Sequence, residues 1–332
     1  MKALILDQKQ ESRIRLTEVQ DAVLKDGEVK IKIKAAALNH RDEWCRQGRY
    51  PNIADGVILG SDGAGVVSEV GPNVSDSLVG QEVIINPALN WGNDQKAQGK
   101  DFEILGMPRN GTLAEFVIVP DDRIFQKPAY LTWEEAAALP LAGLTAFRAI
   151  SYQGSLKENE KLLVTGFGGG VAQFATQFGL AMGAEVAVSS SSEAKLAKAK
   201  SIGAFSEFNY KEENWVADAL DATNGFDLII DGAAGNALND LIDVAKSGGK
   251  IVVYGATLGN PDQVVARKIF WKQLKVMGTT MGSDSDFKAM IDFVTAHEIR
   301  PIIDQVYSFD QAVLAFERMN AGEQMGKIVL TP

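Results

Sequence analysis

The segment KLLVTGFGGGVAQFATQFG carries glycines at 166, 168, 169 and 170 between a strand-like apolar run and a helix-like one. Such glycines permit a tight turn and close backbone approach to a pyrophosphate. The helix start behind them offers unused N–H groups and the positive end of its dipole. The spacing departs from G-x-G-x-x-G, because Val171 stands at the third glycine position counted from Gly166. A plain glycine turn is the competing reading, and position at the head of several strand–helix units favours the dinucleotide loop. The next strand-like run ends Val188-Ser189-Ser190-Ser191-Ser192, with Lys195 on the following turn. A site for an unphosphorylated ribose places Asp or Glu there. Hydroxyls and an ammonium attract a 2′-phosphate, whereas a carboxylate repels it. Glu193 falls past the strand end. NADP(H) is therefore expected over NAD(H), the alternative being serines that only cap a helix and a solvated lysine.

These residues need a scaffold, and two textures divide the chain. Up to about residue 125 short strands alternate with turns, and Lys30-Ile31-Lys32-Ile33-Lys34 shows the period of two of a strand with one wet face. Many brief strands with glycine turns predict a small antiparallel barrel or sandwich. Residues 87–111 are polar, glycine-rich and without periodicity. A loop of that length is usually functional, lobe-forming or mobile. After Pro128, Thr132 and Glu135 fit a capping box that opens a helix through EEAAALPLAGLTAFRAI, with a kink expected at Pro140. Strands and helices then alternate, which predicts a parallel sheet covered on both faces.

The 332 residues suggest two domains. With 33 basic and 43 acidic residues the formal charge is −10, and no Lys/Arg run suits a phosphate backbone, so nucleic acid is not an expected partner. The single cysteine, Cys45, excludes an internal disulfide and a cysteine-rich zinc lobe. No apolar run is long enough to span a bilayer, and MKALILDQKQ lacks the apolar core of a leader. A cytoplasmic protein with no membrane partner is expected.

Over essentially its full length the chain resembles a medium-chain dehydrogenase/reductase, and within that superfamily the zinc-independent quinone oxidoreductase branch. The strings that carry the resemblance are ALNHRDEWCRQGRYP, ILGSDGAGVVSEVGPNV, ALPLAGLTAF, the glycine loop and the closing GKIVL. The first fits N-x-x-D-x-aromatic-x-R-x-G-x-Y-P with Asn39, Asp42, Trp44, Arg46, Gly48, Tyr50 and Pro51. The resemblance implies an α/β protein: a GroES-like antiparallel β-barrel catalytic domain from residues 1–124 and 299–332, and a Rossmann doubly wound parallel-sheet domain from 125–298.

It also implies where chemistry sits. Zinc members place a Cys ligand in the segment matching LNHRD and a His in that matching LGSDG. Here those places hold Asn39 and Ser61, and near Leu141 there is no Cys, His or Asp. Zinc catalysis needs three protein ligands and an open position, so no metal is expected. A His40–Cys45–Asp42 site would be crowded on one short segment. Without a Lewis acid, quinones and α,β-unsaturated carbonyls are the expected acceptors, since they spread the developing charge themselves. The resemblance places Asn39 and Tyr50 as hydrogen-bond donors to the acceptor oxygen and Thr145 beside the nicotinamide; a turn-shaping Asn39 and a packed Tyr50 are the bland alternatives. It pairs Lys195 with Tyr210 on the 2′-phosphate, and lets Gly232 and Gly255 admit the cofactor across the sheet. Gly278 and Thr279 would touch the nicotinamide half, and Lys327 would return to the cofactor or else be a plain edge-strand lysine. A homodimer is expected by resemblance. The rivals are a zinc-type alcohol dehydrogenase and a non-catalytic NADPH-binding sensor or structural protein.

Overall fold

The computed structural model describes residues 1–332. The chain divides into two compact units, Met1–Ala142 with Gly282–Pro332, and Gly143–Met281.

In the first unit, the expected alternation builds the central strand Glu28–Ala37: Val29, Ile31 and Ile33 are buried while Lys32 and Lys34 are exposed. A seven-stranded sheet runs Ile303–Ser308, Lys327–Thr331, Glu28–Ala37, Asp62–Val70, Glu82–Ile85, Ile124–Gln126, with Phe116–Pro120 also paired to Glu28–Ala37. Its pairings are antiparallel except for Ile303–Ser308 against Lys327–Thr331, which is parallel. The inward side chains form one core that includes Leu4, Ile31, Leu59, Val67, Val117 and Leu330. Burying each such side chain contributes about 1.5–3 kcal/mol.

The units divide at 142/143 and 281/282, not at the 124/125 and 298/299 expected from sequence. Side-chain contacts explain the shift. The buried Arg123 guanidinium donates to the Asp284 carboxylate at 2.5 and 2.9 Å and to the Ala88 carbonyl at 2.8 Å. Phe125 packs on Phe287 with ring centres 4.7 Å apart, and the Tyr130 hydroxyl donates to the Val294 and Ile299 carbonyls. Helix Asp284–Ala296 is thereby fastened to the first unit. The capping box of Thr132 and Glu135 is present, but the helix it opens ends at Ala138. Pro140 heads a second helix, Pro140–Arg148. Proline lacks an N–H and suits the first helical position, so a fresh start replaces the expected kink.

Residues 87–111 fold as a small lobe. Ala88–Leu89 pairs with Glu103–Ile104, and the buried Trp91 meets Phe102 edge-on at 5.4 Å.

The second unit carries a six-stranded parallel sheet in the order Ser206–Asn209, Glu185–Ser190, Lys161–Val164, Phe226–Asp231, Ala245–Val253, Lys275–Gly278. The inner strands carry buried apolar runs, Leu162–Val164 and Leu228–Ile230, as a sheet covered on both faces requires. The chain starts at Lys161–Val164, builds outward to one edge, then returns to Phe226–Asp231 and builds the other way. The switch point of this doubly wound sheet lies between those two strands, and ligands of such sheets bind beyond its strand C-termini.

Candidate functional site

The second unit brings the glycine loop to that switch point. Gly166 and Gly168 take φ of 64° and 131°, conformations that L side chains rarely adopt. Gly169 then caps helix Gly170–Ala181. The first turn there, with Gly170 and Val171, leaves backbone N–H groups without helical partners. Ser189 and Ser190 end the neighbouring strand, buried, and the Ser192 hydroxyl accepts from the Lys195 N–H. The Lys195 side chain turns back over Gly168: a β-carbon there would meet its Cδ at 2.6 Å and its Nζ at 3.0 Å. The Tyr210 hydroxyl donates to Ser191 Oγ at 3.1 Å. Glu193 accepts from the Asn209 side chain at 3.3 Å. Loop, serines, lysine and tyrosine thus gather in one region.

On the other side of the switch point, the buried Asp231 accepts from the Thr165 hydroxyl at 2.6 Å and the Ala234 N–H at 2.8 Å, closing the turn that begins at Gly232. A β-carbon on Gly232 would strike the Tyr254 ring. Burial first, and the Asp231 charge second, push the Tyr254 hydroxyl well above its ordinary pKa. Gly255 follows Tyr254, and Gly278 ends the edge strand. Thr279 donates its N–H to the Val253 carbonyl, and its buried Oγ1 has no hydrogen-bond partner in the protein. Thr145 is buried on helix Pro140–Arg148. An unpartnered buried hydroxyl together with unused helix N–H groups fits a dinucleotide's amide and phosphates.

The first unit holds a separate polar cluster. Asn39 caps helix His40–Arg46, and its N–H donates to Asp42 Oδ2 at 2.8 Å while Asp42 Oδ1 takes the Gly60 N–H at 3.3 Å. Asp42 therefore braces two loops. Burial pushes its carboxyl up from the ordinary range against the pull of Arg41. Arg41 donates to Ser61 Oγ at 2.5 Å and to the Leu105 and Met107 carbonyls at 2.7 and 3.0 Å. The guanidinium also lies over the Tyr50 ring and donates to its hydroxyl oxygen at 3.3 Å. The Tyr50 proton stays available to donate elsewhere.

The Asn39 side chain goes further inward. Its Nδ2 donates to Asp62 Oδ2 at 2.9 Å, and its Oδ1 accepts from Lys327 Nζ at 2.7 Å. Lys327 Nζ also meets Asp62 Oδ2 at 2.8 Å, and Asp62 Oδ1 accepts the Leu141 N–H at 2.8 Å. Asp62 is 0% and Lys327 2% exposed. Lys327 is thus neither an edge lysine in solvent nor a freely reaching side chain. Its ammonium is engaged by two acceptors of its own unit. Asp62 is the residue that sequence reasoning passed over. A carboxylate inside the apolar segment ILGSDGAGVV was the available signal, because a buried charge requires a partner.

The zinc-binding dehydrogenase family matches residues 170–296, and the alcohol dehydrogenase GroES-like domain matches residues 25–129. The chain belongs to the medium-chain dehydrogenase/reductase superfamily. Among this dehydrogenase/reductase's relatives is the zinc-type alcohol dehydrogenase-like protein YogA of Leptosphaeria maculans, 37% identical over 326 residues, which cover 91% of this chain and 90% of that one. The 2-methylene-furan-3-one reductase of Solanum lycopersicum is 30% identical over 314 residues, covering 93% and 73%. The crystal structure of an NAD-dependent alcohol dehydrogenase superposes with a TM-score of 0.95 at 32% identity, covering 100% of each chain. The superfamily binds a nicotinamide cofactor, NAD or NADP, and the second unit's loop, helix start and Thr279 suit it. Zinc is a different case. The two places where the resemblance puts ligands hold the Asn39 amide and the Ser61 hydroxyl, and the neighbouring Asp62 carboxylate pairs with Lys327. No group of three or more His, Cys, Asp or Glu side chains is arranged to hold a metal ion. This donor set does not fit zinc.

Proposed function

We propose that this oxidoreductase transfers hydride from NADPH to a quinone or an α,β-unsaturated carbonyl without a metal ion. The observation that carries this reading is the engagement of Asn39 with Asp62 and Lys327 and of Ser61 with Arg41, at the two places where the resemblance puts zinc ligands. A simple carbonyl then lacks the Lewis acid that stabilises its alkoxide, whereas a conjugated acceptor delocalises the charge. The furanone reductase among the relatives favours the same substrate class. The bound nicotinamide supplies the hydride. This chain's residues do the rest. Asn39 Nδ2 and the Tyr50 hydroxyl donate to the acceptor oxygen as hydride reaching the β-carbon turns the enone into an enolate, and water protonates its α-carbon. Those donors strengthen as charge grows on that oxygen.

NADPH is preferred to NADH because hydroxyls and Lys195, not a carboxylate, end the strand Glu185–Ser190. We further propose that two copies pair along the unpartnered edge strand Lys275–Gly278, flanked by the exposed Phe270 and Trp271. NADPH oxidation against a panel of quinones, enones, aldehydes and alcohols, with and without a chelator, tests the function. Chelator-resistant turnover confined to conjugated acceptors is expected. Alcohol oxidation that stops on zinc removal would establish the zinc-type alcohol dehydrogenase instead. Saturable NADPH binding without any turnover would establish a sensor or structural protein.

A further inference from the structure

Lys327 and Asp62 form a fully buried ion pair, and burying two charges is expensive unless every hydrogen-bonding position is filled. Here it nearly is: Asp62 takes Lys327 and Asn39 on one oxygen and the Leu141 N–H on the other. A packed apolar pair would stabilise the unit as well or better, so the arrangement calls for a reason beyond stability. Asn39 offers one. A side-chain amide can sit in two orientations with oxygen and nitrogen exchanged. With the ammonium at 2.7 Å only the oxygen can face Lys327, and with the carboxylate at 2.9 Å only the NH₂ can face Asp62. One N–H of that group is spent on Asp62, which fixes the direction of the other.

We infer that Lys327 is a positioning residue, an internal cation that locks the Asn39 amide so that its second N–H is aimed at the acceptor oxygen. The role rests on the reading that Asn39 meets the acceptor. Lys327 acts through Asn39 and touches neither acceptor nor cofactor.

The test is a cycle of variants built to keep the interior neutral. Lys327→Met alone strands the Asp62 charge and endangers folding, so it is made together with Asp62→Asn, and both are combined with Asn39→Ala. The double variant is expected to melt cooperatively, to bind NADPH as the parent does, and to lose ~10- to 100-fold in kcat on an enone, less than the ~100- to 1,000-fold lost when an oxyanion donor is removed outright. In the Asn39→Ala background the same double change is expected to cost almost nothing further in kcat. Additive losses would overturn the inference, because residues that act through one another cannot add. A second readout needs no turnover. In protein labelled with ¹⁵N-asparagine, the Asn39 side-chain N–H signals are expected to be protected from solvent exchange and to lose that protection in the double variant. Unchanged signals there would also overturn it. If the parent turns over no conjugated acceptor, the functional reading fails, while the asparagine signals still decide whether Lys327 locks the amide.

Discussion

Lys195 lies across Gly168, so close that a β-carbon on that glycine would come within 3.0 Å of the ammonium nitrogen. One residue opens the turn and the other fills the space this leaves with positive charge. The glycine loop and Lys195 are therefore one construction, and each substitution in it reports on the other.

Removing that charge gives the first prediction. Lys195→Ala is expected to weaken NADPH binding about 10- to 150-fold, the equivalent of about 1.5–3 kcal/mol for a hydrogen bond to a charged group. NADH binding is expected to change little. Fluorescence titration with both cofactors checks it, and equal losses would remove the phosphate-grip argument.

Cys45 is 1% exposed, and burial, helped by the Asp42 charge, pushes its thiol up to about 12. The thiolate is the reactive species, so native protein is expected to resist an aromatic disulfide reagent at pH 8. With one cysteine in the chain, labelling is expected to follow global unfolding and to speed up with urea as the unfolded fraction rises. Stoichiometric labelling of native protein within minutes would contradict the packing described.

Burial first, and the Lys327 charge second, hold the His40 imidazole below its ordinary 6.5, against the pull of Glu43. The unfolded chain then binds the proton more readily than the folded one. The contribution of neutral His40 is complete above the unfolded value of 6.5 and is lost as pH falls through the lower folded value. Urea midpoints measured between pH 7.5 and 5 are expected to fall for the parent more steeply than for His40→Gln. Because only His40 and His297 occur, proton NMR can follow the imidazole directly, and the Lys327→Met/Asp62→Asn variant is expected to raise its titration midpoint.

Trp271 and Phe270 are 80% and 66% exposed beside an edge strand that carries the exposed Val276. A stable pair of subunits buries about 1,200–2,000 Å². Light scattering is expected to give a dimer for the parent and a monomer for Trp271→Glu combined with Val276→Lys. An unchanged mass would move the interface elsewhere.

The glycine loop, the serine-ended strand and the alternating strand–helix pattern were legible because each is a local arrangement, written in consecutive residues whose period or backbone freedom sets its geometry. So was the alternation of Glu28–Ala37. What the chain brings together over long separations was not. Arg123 and Asp284 are 161 positions apart, and their contact moves a whole helix into the first unit. Lys327 is 288 positions from Asn39 and 265 from Asp62. Nothing in GKIVL says whether its lysine meets solvent, cofactor or carboxylate, because a side chain's neighbours are set by sheet register and not by its own segment. The sequence determined that a glycine loop opens the strand–helix units and that Asn39 and Ser61 stand where the resemblance puts zinc ligands. Only the folded sheet, pairing the last strand with Glu28–Ala37, decided which charge occupies the interior beside them.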